Sequence, residues 1–342
     1  MGVTLTPRPG RARALGLLLG FAADRAFGDP RRRHPVAGFG ALALRTECAL
    51  YRDSRAAGIA YTTILVAGTA CAGVAADRAV RRVGPGAVVA TTALATWTVL
   101  GGTSLARTGA GMAQRLGQPG LDDARALLPS LCGRDPSALD RDGLARAALE
   151  SVAENTSDAA VAPLLWGGAF GIPGLLAYRA ANTLDAMVGY RSERYRNFGW
   201  ASARLDDALN LVPARVAGAL TVAAAPVVGG SPRRAWQAWR SDAAAHPSPN
   251  AGVAEASAAG ALGIALGGRT EYPHGVEMRP VLGRGPAPTV ADLPRAVRLS
   301  HAVQAGAVVV SAALAVAVGQ FRVGRRQRRL RRLGAATEPA AR

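Results

Sequence analysis

Three long stretches without a charged residue constrain the fold of this chain more than any other feature. They are Gly58–Ala76, Val83–Gly102 and Ala302–Gly319. A helix needs about 20 mostly apolar residues to cross a lipid bilayer, so each stretch predicts a membrane-spanning helix. A shorter apolar run, Ala14–Ala23, follows three arginines. We interpret it as a first membrane helix that ends near Phe27 rather than as the core of a signal peptide, because no small-residue cleavage site follows it.

Three further apolar stretches are ambiguous, because glycine, proline or a charged residue interrupts them. They are Ala159–Ala177, Ala208–Gly230 and Ala251–Gly268. Each could span the membrane, re-enter it, or pack as a buried helix, and we favour buried or re-entrant helices. No strand-like alternation is visible. We therefore expect one all-α domain over residues 1–342, a polytopic integral membrane protein with about four to six membrane helices plus re-entrant or amphipathic ones.

The charge is strongly basic, with a formal net charge of +18 from 41 basic residues, all of them arginine. Such a charge is typical of nucleic-acid binding or of contact with an anionic membrane surface. The mean hydropathy of +0.13 favours the membrane, so we expect the lipid bilayer as a partner and no nucleic acid. Without lysine the chain cannot form a Schiff base or a Walker-type phosphate site. Phosphates would be bound by arginine, backbone N–H groups or metal ions.

Arginine placement predicts how the chain is oriented in the cell membrane. One group of arginines follows the first apolar run, and seven more lie between Arg322 and Arg332. The positive-inside rule places both groups in the cytoplasm. The N-terminus is then outside, residues 103–158 form a cytoplasmic helical loop, and residues 322–342 form a basic cytoplasmic tail that we expect to be disordered.

The acidic residues Glu150, Glu154 and Asp158 recur at intervals of four, so on a helix they share one face. Three carboxylates on one face repel one another unless water or a cation separates them. Mg²⁺ suits such oxygen ligands and is usually held by one or two carboxylates together with substrate phosphates. A solvated helix face is the alternative, and the spacing alone does not decide between the two.

Two more polar groups follow along the chain. The first joins Asn182 and Asp185 to a mixed arginine and acidic segment that suits phosphates or carboxylates, or else anionic lipid. Its candidate residues are Arg191, Arg194, Arg204, Asp206 and Asp207. The second is the segment "HPSPNAGVAEA", which contains His246, Ser248, Asn250 and Glu255. Ser248 or Asn250 alone would be explained as a helix N-cap. His34, after the sequence "GDP", is either a site residue or a structural histidine.

The text from "ESVAENTSDAAVAPLLWGG" to "NTLDAMVGYRSERYRNFGWASARLDDALNLVPAR" resembles the signature core of adenosylcobinamide-phosphate synthases, the CobD/CbiB family. "GDP" and "HPV" near residue 30, "HPSPNAGVAEA", and "RPVLG" followed by "DLPRAVRLS" occur in the family's order. The resemblance covers about residues 15–320. One departure is Ala254, where proline is expected before the glutamate.

The resemblance implies a reaction in cobalamin biosynthesis. A propionate carboxyl of the corrinoid adenosylcobyric acid is joined as an amide to aminopropanol or aminopropanol phosphate, with ATP and Mg²⁺ as the expected driving agents. ATP would convert the carboxylate into an acyl phosphate, and the amine would then expel phosphate. Other enzymes of the cobalamin pathway are candidate partners. The rival function is a corrinoid transporter that carries out no covalent chemistry.

The residue roles are hypotheses from side-chain chemistry at the positions that match the family. Glu150, Glu154 and Asp158 are assigned to Mg²⁺, with Asn155 supporting them and with Asp185, Asp206 and Asp207 as alternative ligands. Arginines 191, 194 and 204 would bind phosphates, and His246 would accept the amine proton. The remaining candidates for substrate binding are Asn182, Ser248, Asn250, Glu255 and His34.

Overall fold

The computed structural model describes residues 9–30, 34–137, 139–190, 192–272 and 275–336, and most of them are helical. The helices are α1 (Pro9–Phe27), α2 (Pro35–Leu50), α3 (Arg55–Val83), α4 (Pro85–Val99), α5 (Gly102–Leu116), α6 (Asp122–Leu127), α7 (Arg141–Thr156), α8 (Ala162–Phe170), α9 (Ile172–Val188), α10 (Trp200–Ala224), α11 (Pro232–Asp242), α12 (Ala251–Leu262) and α13 (Asp292–Ala336). A hairpin of β1 (Leu266–Tyr272) and β2 (Gly275–Leu282) lies between α12 and α13.

Within the described ranges, four stretches are long and apolar enough to cross a membrane. They are Arg55–Val83, Pro85–Leu116, Trp200–Val228 and Asp292–Arg322. Arg55–Val83 and Asp292–Arg322 contain two of the spans predicted from the sequence, and Pro85–Leu116 overlaps the third, Val83–Gly102. The class of a mainly helical, polytopic membrane protein is confirmed. Helix α1 ends at Phe27, as predicted, but its four charged residues leave it less apolar than these stretches.

Contacts along α1 fix the direction of the main helices. A methyl group on Gly10 would lie 2.7 Å from the Ala315 carbonyl oxygen, and Arg25 Nη1 lies 2.6 Å from His301 Nδ1. Helices α1 and α13 are therefore antiparallel. Helix α4 runs parallel to α1, since its last turn reaches the end of α1 through a hydrogen bond from Trp97 Nε1 to Gly28 O (2.8 Å).

This arrangement gives the helical bundle two ends. The Gly84 end contains the turn between α3 and α4, the start of α1 and the apolar end of α13 near Gly319. The Arg55 end contains the start of α3, the end of α4 and the start of α13, where Gln304 Nε2 donates to Gly102 O at 3.3 Å. The start of α1 and the apolar end of α13 thus lie together at the Gly84 end.

Helix α10 begins and ends at the Arg55 end. At its start, Trp200 lies under the Arg55 guanidinium, 5.2 Å from it. Beyond its end, Val228 O accepts a hydrogen bond from Arg295 Nη2, 3.3 Å away on the first turn of α13. Pro213 lies within the helix, where it removes a backbone donor. Its length and hydropathy would also suffice for a crossing, so the re-entrant course that we favoured from the sequence stays a prediction.

The other two ambiguous stretches form short helices that are packed inside the protein. Residues 159–177 are divided at Gly171, whose φ of +77° ends α8 and starts α9. Helix α12 has 12 residues, all buried, which makes it about 18 Å long and too short to cross a bilayer. Around α12, the buried side chains of α5, α7 and the start of α13 form the largest apolar core, with Leu144, Leu149 and Leu293 fully enclosed.

Four sequence expectations need correction. The hairpin was missed, because Gly267 and Gly268, both with positive φ, interrupt the strand pattern. The loop predicted from residue 103 begins later, since α5 continues to Leu116 and α7 is packed into the core. The predicted disordered tail is helical to Ala336, in keeping with its many arginines and leucines; residues 337–342 lie outside the described part. The N- and C-terminal segments were predicted on opposite sides of the membrane, but the start of α1 and the apolar end of α13 lie at the same end of the bundle.

Candidate functional site

The predicted acidic residues lie where α7 meets α12 and the hairpin. Glu150 is 1% exposed and both its carboxylate oxygens have partners. Oε2 is paired with Arg134, and Oε1 accepts a hydrogen bond from the Gly267 backbone N–H at 2.7 Å. Glu150 thus ties the hairpin to α7. Because both its oxygens already have partners, Glu150 is a less suitable metal ligand than Glu154 or Asp158.

His246, Glu255 and Arg279 form a buried group beside it. Arg279 Nη2 lies 2.6 Å from His246 Nε2, and Glu255 Oε1 lies 3.7 Å from the same nitrogen. A guanidinium only donates hydrogen bonds, so Nε2 accepts from Arg279, while Nδ1 lies 3.0 Å from the Ser248 backbone N and 3.1 Å from Ser248 O. The imidazole is therefore neutral in this arrangement.

Burial and charge explain the protonation of this group. Burial, and then the Arg279 charge, lower the pKa of His246. Burial, and then the neighbouring Glu150 and Glu154, raise the pKa of Glu255 well above its ordinary value. Glu255 Oε1 is buried and accepts no hydrogen bond from the described residues, although Arg279 Nη1 lies 4.0 Å away. Burial and the neighbouring charges therefore favour the neutral forms of both Glu255 and His246.

A second set of carboxylates extends from this group towards α9 and α10, and we call Glu154, Asp158, Asp185 and Asp206 the acidic cluster. Asp158 lies in a π-helical turn (Ser157–Val161) that interrupts the helix after α7. Such turns are frequent at functional sites. Burial first, and then Asp206, Glu154 and Asp185, raise the pKa of Asp158 well above its ordinary value. The pKa of Asp185 rises to about 7 for the same kinds of reason, and that of Glu154 is also raised by its burial.

Amide and phenol groups hold the acidic cluster in place. Asp206 accepts hydrogen bonds from Asn182 Nδ2 at 3.3 Å and from Asn210 Nδ2 at 2.9 Å. The Tyr178 hydroxyl lies 2.9 Å from Asn210 Oδ1 and 3.1 Å from the Asp158 carbonyl oxygen. Asn155 Nδ2 donates to Ser151 O at 2.9 Å, one turn back on α7. The cluster is thus a fixed arrangement of acceptors.

The two predicted halves of the site are in contact. Asn250, at the start of α12, donates from Nδ2 to Asp207 O at 2.8 Å, and its Oδ1 accepts from Arg215 Nη1 at 2.8 Å. Ser248 Oγ accepts from the Asn250 and Ala251 backbone N–H groups, which is the capping role left open above. Both ends of α10 contact elements of the Arg55 end, which is consistent with the meeting of Asp207 and Asn250 there.

Several predicted site residues have other surroundings. The Asp207 carboxylate is 3.9 Å from Arg204, and the Arg204 side chain is 65% exposed. Arg194 donates to Glu47 Oε1 at 3.0 Å and stacks on Tyr51. His34 caps α2 by accepting from the Val36 N–H at 3.1 Å. Arg191 lies outside the described residues.

The sequence analysis missed three arginines that surround the carboxylates. Arg134 and Arg279 lie within electrostatic range of Glu154, and Arg179 on α9 lies within range of Asp29 and Asp158. Arg179 Nε is buried and has no hydrogen-bond partner among the described residues. Arg279 belongs to the quoted text "RPVLG", which was a signal that we did not use. Arg179 likewise lies within the quoted signature stretch, whereas Arg134 lies outside the quoted text.

The carboxylate oxygens of the acidic cluster suit Mg²⁺; Asp206 is buried and the other three residues are half-buried. In the described ranges no three His, Cys, Asp or Glu side chains are grouped as a complete metal site. A protein that binds Mg²⁺ through substrate phosphates needs only one or two carboxylates. Glu154 and Asp158 are the acids of the predicted triad that remain suited to this, with Asp185 and Asp206 beside them.

Comparison with known proteins is consistent along nearly the whole chain. A family model described as CobD/Cbib protein matches residues 17–300. The cobalamin biosynthesis protein CobD of Mycobacterium tuberculosis (strain CDC 1551 / Oshkosh) is 57% identical over 304 residues, covering 89% of this chain and 96% of that protein. The protein of that name from Geobacter metallireducens is 43% identical over 85% of this chain and 93% of its own length. No solved structure matches.

Proposed function

Because this chain belongs to the CobD/CbiB family and has a role in cobalamin biosynthesis, we propose that it is an adenosylcobinamide-phosphate synthase. The proposed reaction joins a propionate carboxyl of adenosylcobyric acid to the amine of aminopropanol or aminopropanol phosphate. The observation that carries the proposal is the meeting of the acidic cluster, the neutral His246 and three arginines at one end of a membrane bundle. Amide formation from a carboxylate asks for these groups.

A carboxylate is a poor acceptor for an amine, so it has to be activated. We propose that ATP phosphorylates the carboxylate oxygen and that ADP leaves. The amine nitrogen then attacks the acyl carbon, phosphate departs with the C–O bond electrons, and the nitrogen loses one proton. Mg²⁺, when bound, would neutralise phosphate charge beside Glu154 and Asp158.

The residues of this chain would bind the anions and accept the proton. Arg179 and Arg279 would donate to phosphate or carboxylate oxygens, since arginine matches both geometries. His246 is neutral, which is the form that accepts a proton. In this structure Arg279 occupies its Nε2, so His246 becomes free to act when Arg279 turns towards an anionic substrate.

The test is an assay of the purified, detergent-solubilised full chain with adenosylcobyric acid, Mg-ATP and either amine, read by mass spectrometry. We expect a corrinoid heavier by the condensed amine, formed only with ATP. Glu154→Gln should abolish the product while the protein remains folded and membrane-inserted. Folded protein that forms no product with either amine, but moves a corrinoid across vesicle membranes, would instead support a transporter.

A further inference from the structure

A basic groove lies on the outside of the protein at α11, away from the acidic cluster. It has a volume of about 640 Å³ and includes Arg234, Trp236, Arg240 and Arg284 in its lining. Its floor is Gly260 on α12. Glu255, which belongs to the buried His246 group, is five residues earlier on α12 and therefore about 140° away around the helix axis. The groove and the candidate active site thus use different faces of α12.

The close approach of α11 to α12 determines which side of α11 is free. A methyl group on Gly260 would lie 2.7 Å from Ala235 Cα and 2.9 Å from Ala238 Cβ. The two alanines are buried, so the small-residue face of α11 is packed inwards. The arginines and Trp236 are left on the outer faces, where Trp236 is 46% exposed.

The groove is strongly cationic. Three arginines line it, against the single carboxylate of Asp242. That carboxylate already accepts hydrogen bonds from the Gly283 N–H at 2.8 Å and the Ser241 hydroxyl at 2.6 Å. The Arg240 guanidinium lies 5.8 Å from the Trp236 ring centroid. Guanidinium groups around an aromatic ring suit a phosphate attached to an apolar body.

We infer that this groove binds the phosphate of an anionic phospholipid headgroup. Its position favours lipid over a soluble phosphate, because α11 begins at Pro232, four residues after the apolar stretch ends at Val228. Exposed tryptophan is enriched at the membrane–water interface, and basic clusters beside membrane helices attract anionic lipids.

The experiment is native mass spectrometry of the full-length protein in detergent, titrated with phosphatidylglycerol or phosphatidylcholine. Wild type should bind phosphatidylglycerol more tightly. The Arg240→Gln and Arg284→Gln variants should each weaken phosphatidylglycerol binding about five-fold, without changing phosphatidylcholine binding. Arg233→Gln is the matched control, since Arg233 is exposed on α11 but does not line the groove, and its affinity should equal that of wild type.

Three results would overturn the inference. One is unchanged phosphatidylglycerol binding in the double variant Arg240→Gln/Arg284→Gln. Another is an equal loss in Arg233→Gln, which would indicate general charge attraction. The third is displacement of the lipid by millimolar inorganic phosphate, which would assign the groove to soluble phosphates. Because the mutated side chains are exposed, an unchanged melting temperature should show that the variants are folded.

Discussion

At the residue scale, the protonation of Asp185 should make the stability of the folded protein depend on pH. Its pKa of about 7 lies above the ordinary value of 3.8, chiefly because of burial. Between these values the folded protein holds a proton that the unfolded chain has released, so stability falls as pH rises. Asp185→Asn replaces the carboxyl group by an amide that does not titrate, so this dependence of stability on pH is lost. We expect it to raise the melting temperature relative to wild type more at pH 8 than at pH 5.

A matched control for that measurement is Asp123→Asn, an exposed aspartate on α6. Its effect on melting temperature should be small and alike at both pH values. If Asp185→Asn also showed no dependence on pH, the charge repulsion inferred for the acidic cluster would be wrong.

A single substitution at Arg179 would test its role in the proposed reaction. Its Nε has no hydrogen-bond partner among the described residues, and it lies in electrostatic range of Asp158. We expect Arg179→Gln to lower kcat/KM about 100-fold, as loss of one donor to a developing charge does, with Arg179→Lys recovering part of it. Steady-state kinetics with Mg-ATP and aminopropanol phosphate measures this.

The comparison for Arg179 is Arg204→Gln, because the Arg204 side chain is 65% exposed and only 3.9 Å from Asp207. That variant should retain nearly full kcat/KM. Full activity in Arg179→Gln would remove Arg179 from the site, and equal losses in both would point to a general effect of charge.

At the element scale, the hairpin depends on one buried ion pair. Glu150 forms an ion pair with Arg134 and accepts a hydrogen bond from the Gly267 N–H. Glu150→Ala removes the carboxylate from both, and breaking a buried pair costs about 3–5 kcal/mol. We expect a large fall in the free energy of unfolding, measured by chemical denaturation. Asp122→Ala, at an exposed aspartate paired with Arg125, should change that free energy by less than about 0.5 kcal/mol. Unchanged stability in Glu150→Ala would refute the structural role.

The contact between α3 and α9 rests on a glycine. A Cβ on Gly73 would lie 2.7 Å from Pro173 Cα, so a larger residue forces two backbones apart. We expect Gly73→Val to destabilise the protein by about 1–3 kcal/mol. Gly68→Val makes the same change on the same helix where nothing lies within 4 Å, which controls for helix propensity. Equal melting temperatures for the two variants would contradict this packing.

How far these elements could be predicted depends on the range of the forces behind them. Helices α3, α4 and α13 follow from local apolar composition, which the sequence displays directly. The spacing of Glu154 and Asp158 was likewise local and led to the acidic cluster. The partners Arg134, Arg179 and Arg279 come from three separate elements, and only the packing of α7, α9 and the hairpin brings them together. The local periodicity of the sequence does not predict that packing.

At the scale of the whole molecule, the course of α10 decides where the site lies. Composition alone allowed a crossing, which would have separated Asp207 from Asn250. The contacts of Trp200 with Arg55 and of Val228 with Arg295 place both ends of the helix beside elements of the Arg55 end. These are tertiary contacts over more than 60 residues of sequence, so hydropathy could not reveal them. The predicted cytoplasmic orientation of the C-terminus stays a prediction, because the contacts between helices do not identify which end of the bundle faces the cytoplasm.

The arrangement predicts that the start of α1 and the apolar end of α13 lie on the side opposite the candidate site. Helix α1 starts beside Gly319, and the Arg55 end carries most of the arginines between the helices, which favours that end for the cytoplasm. Alkaline phosphatase fused after Arg342 should therefore be active in intact cells, and a green fluorescent protein at the same place should be dark. The same two reporters placed after Ser137 should behave in the opposite way. A fluorescent C-terminal fusion would mean that the basic tail, and not the loops of the Arg55 end, sets the orientation, and the site would then face away from cytoplasmic ATP.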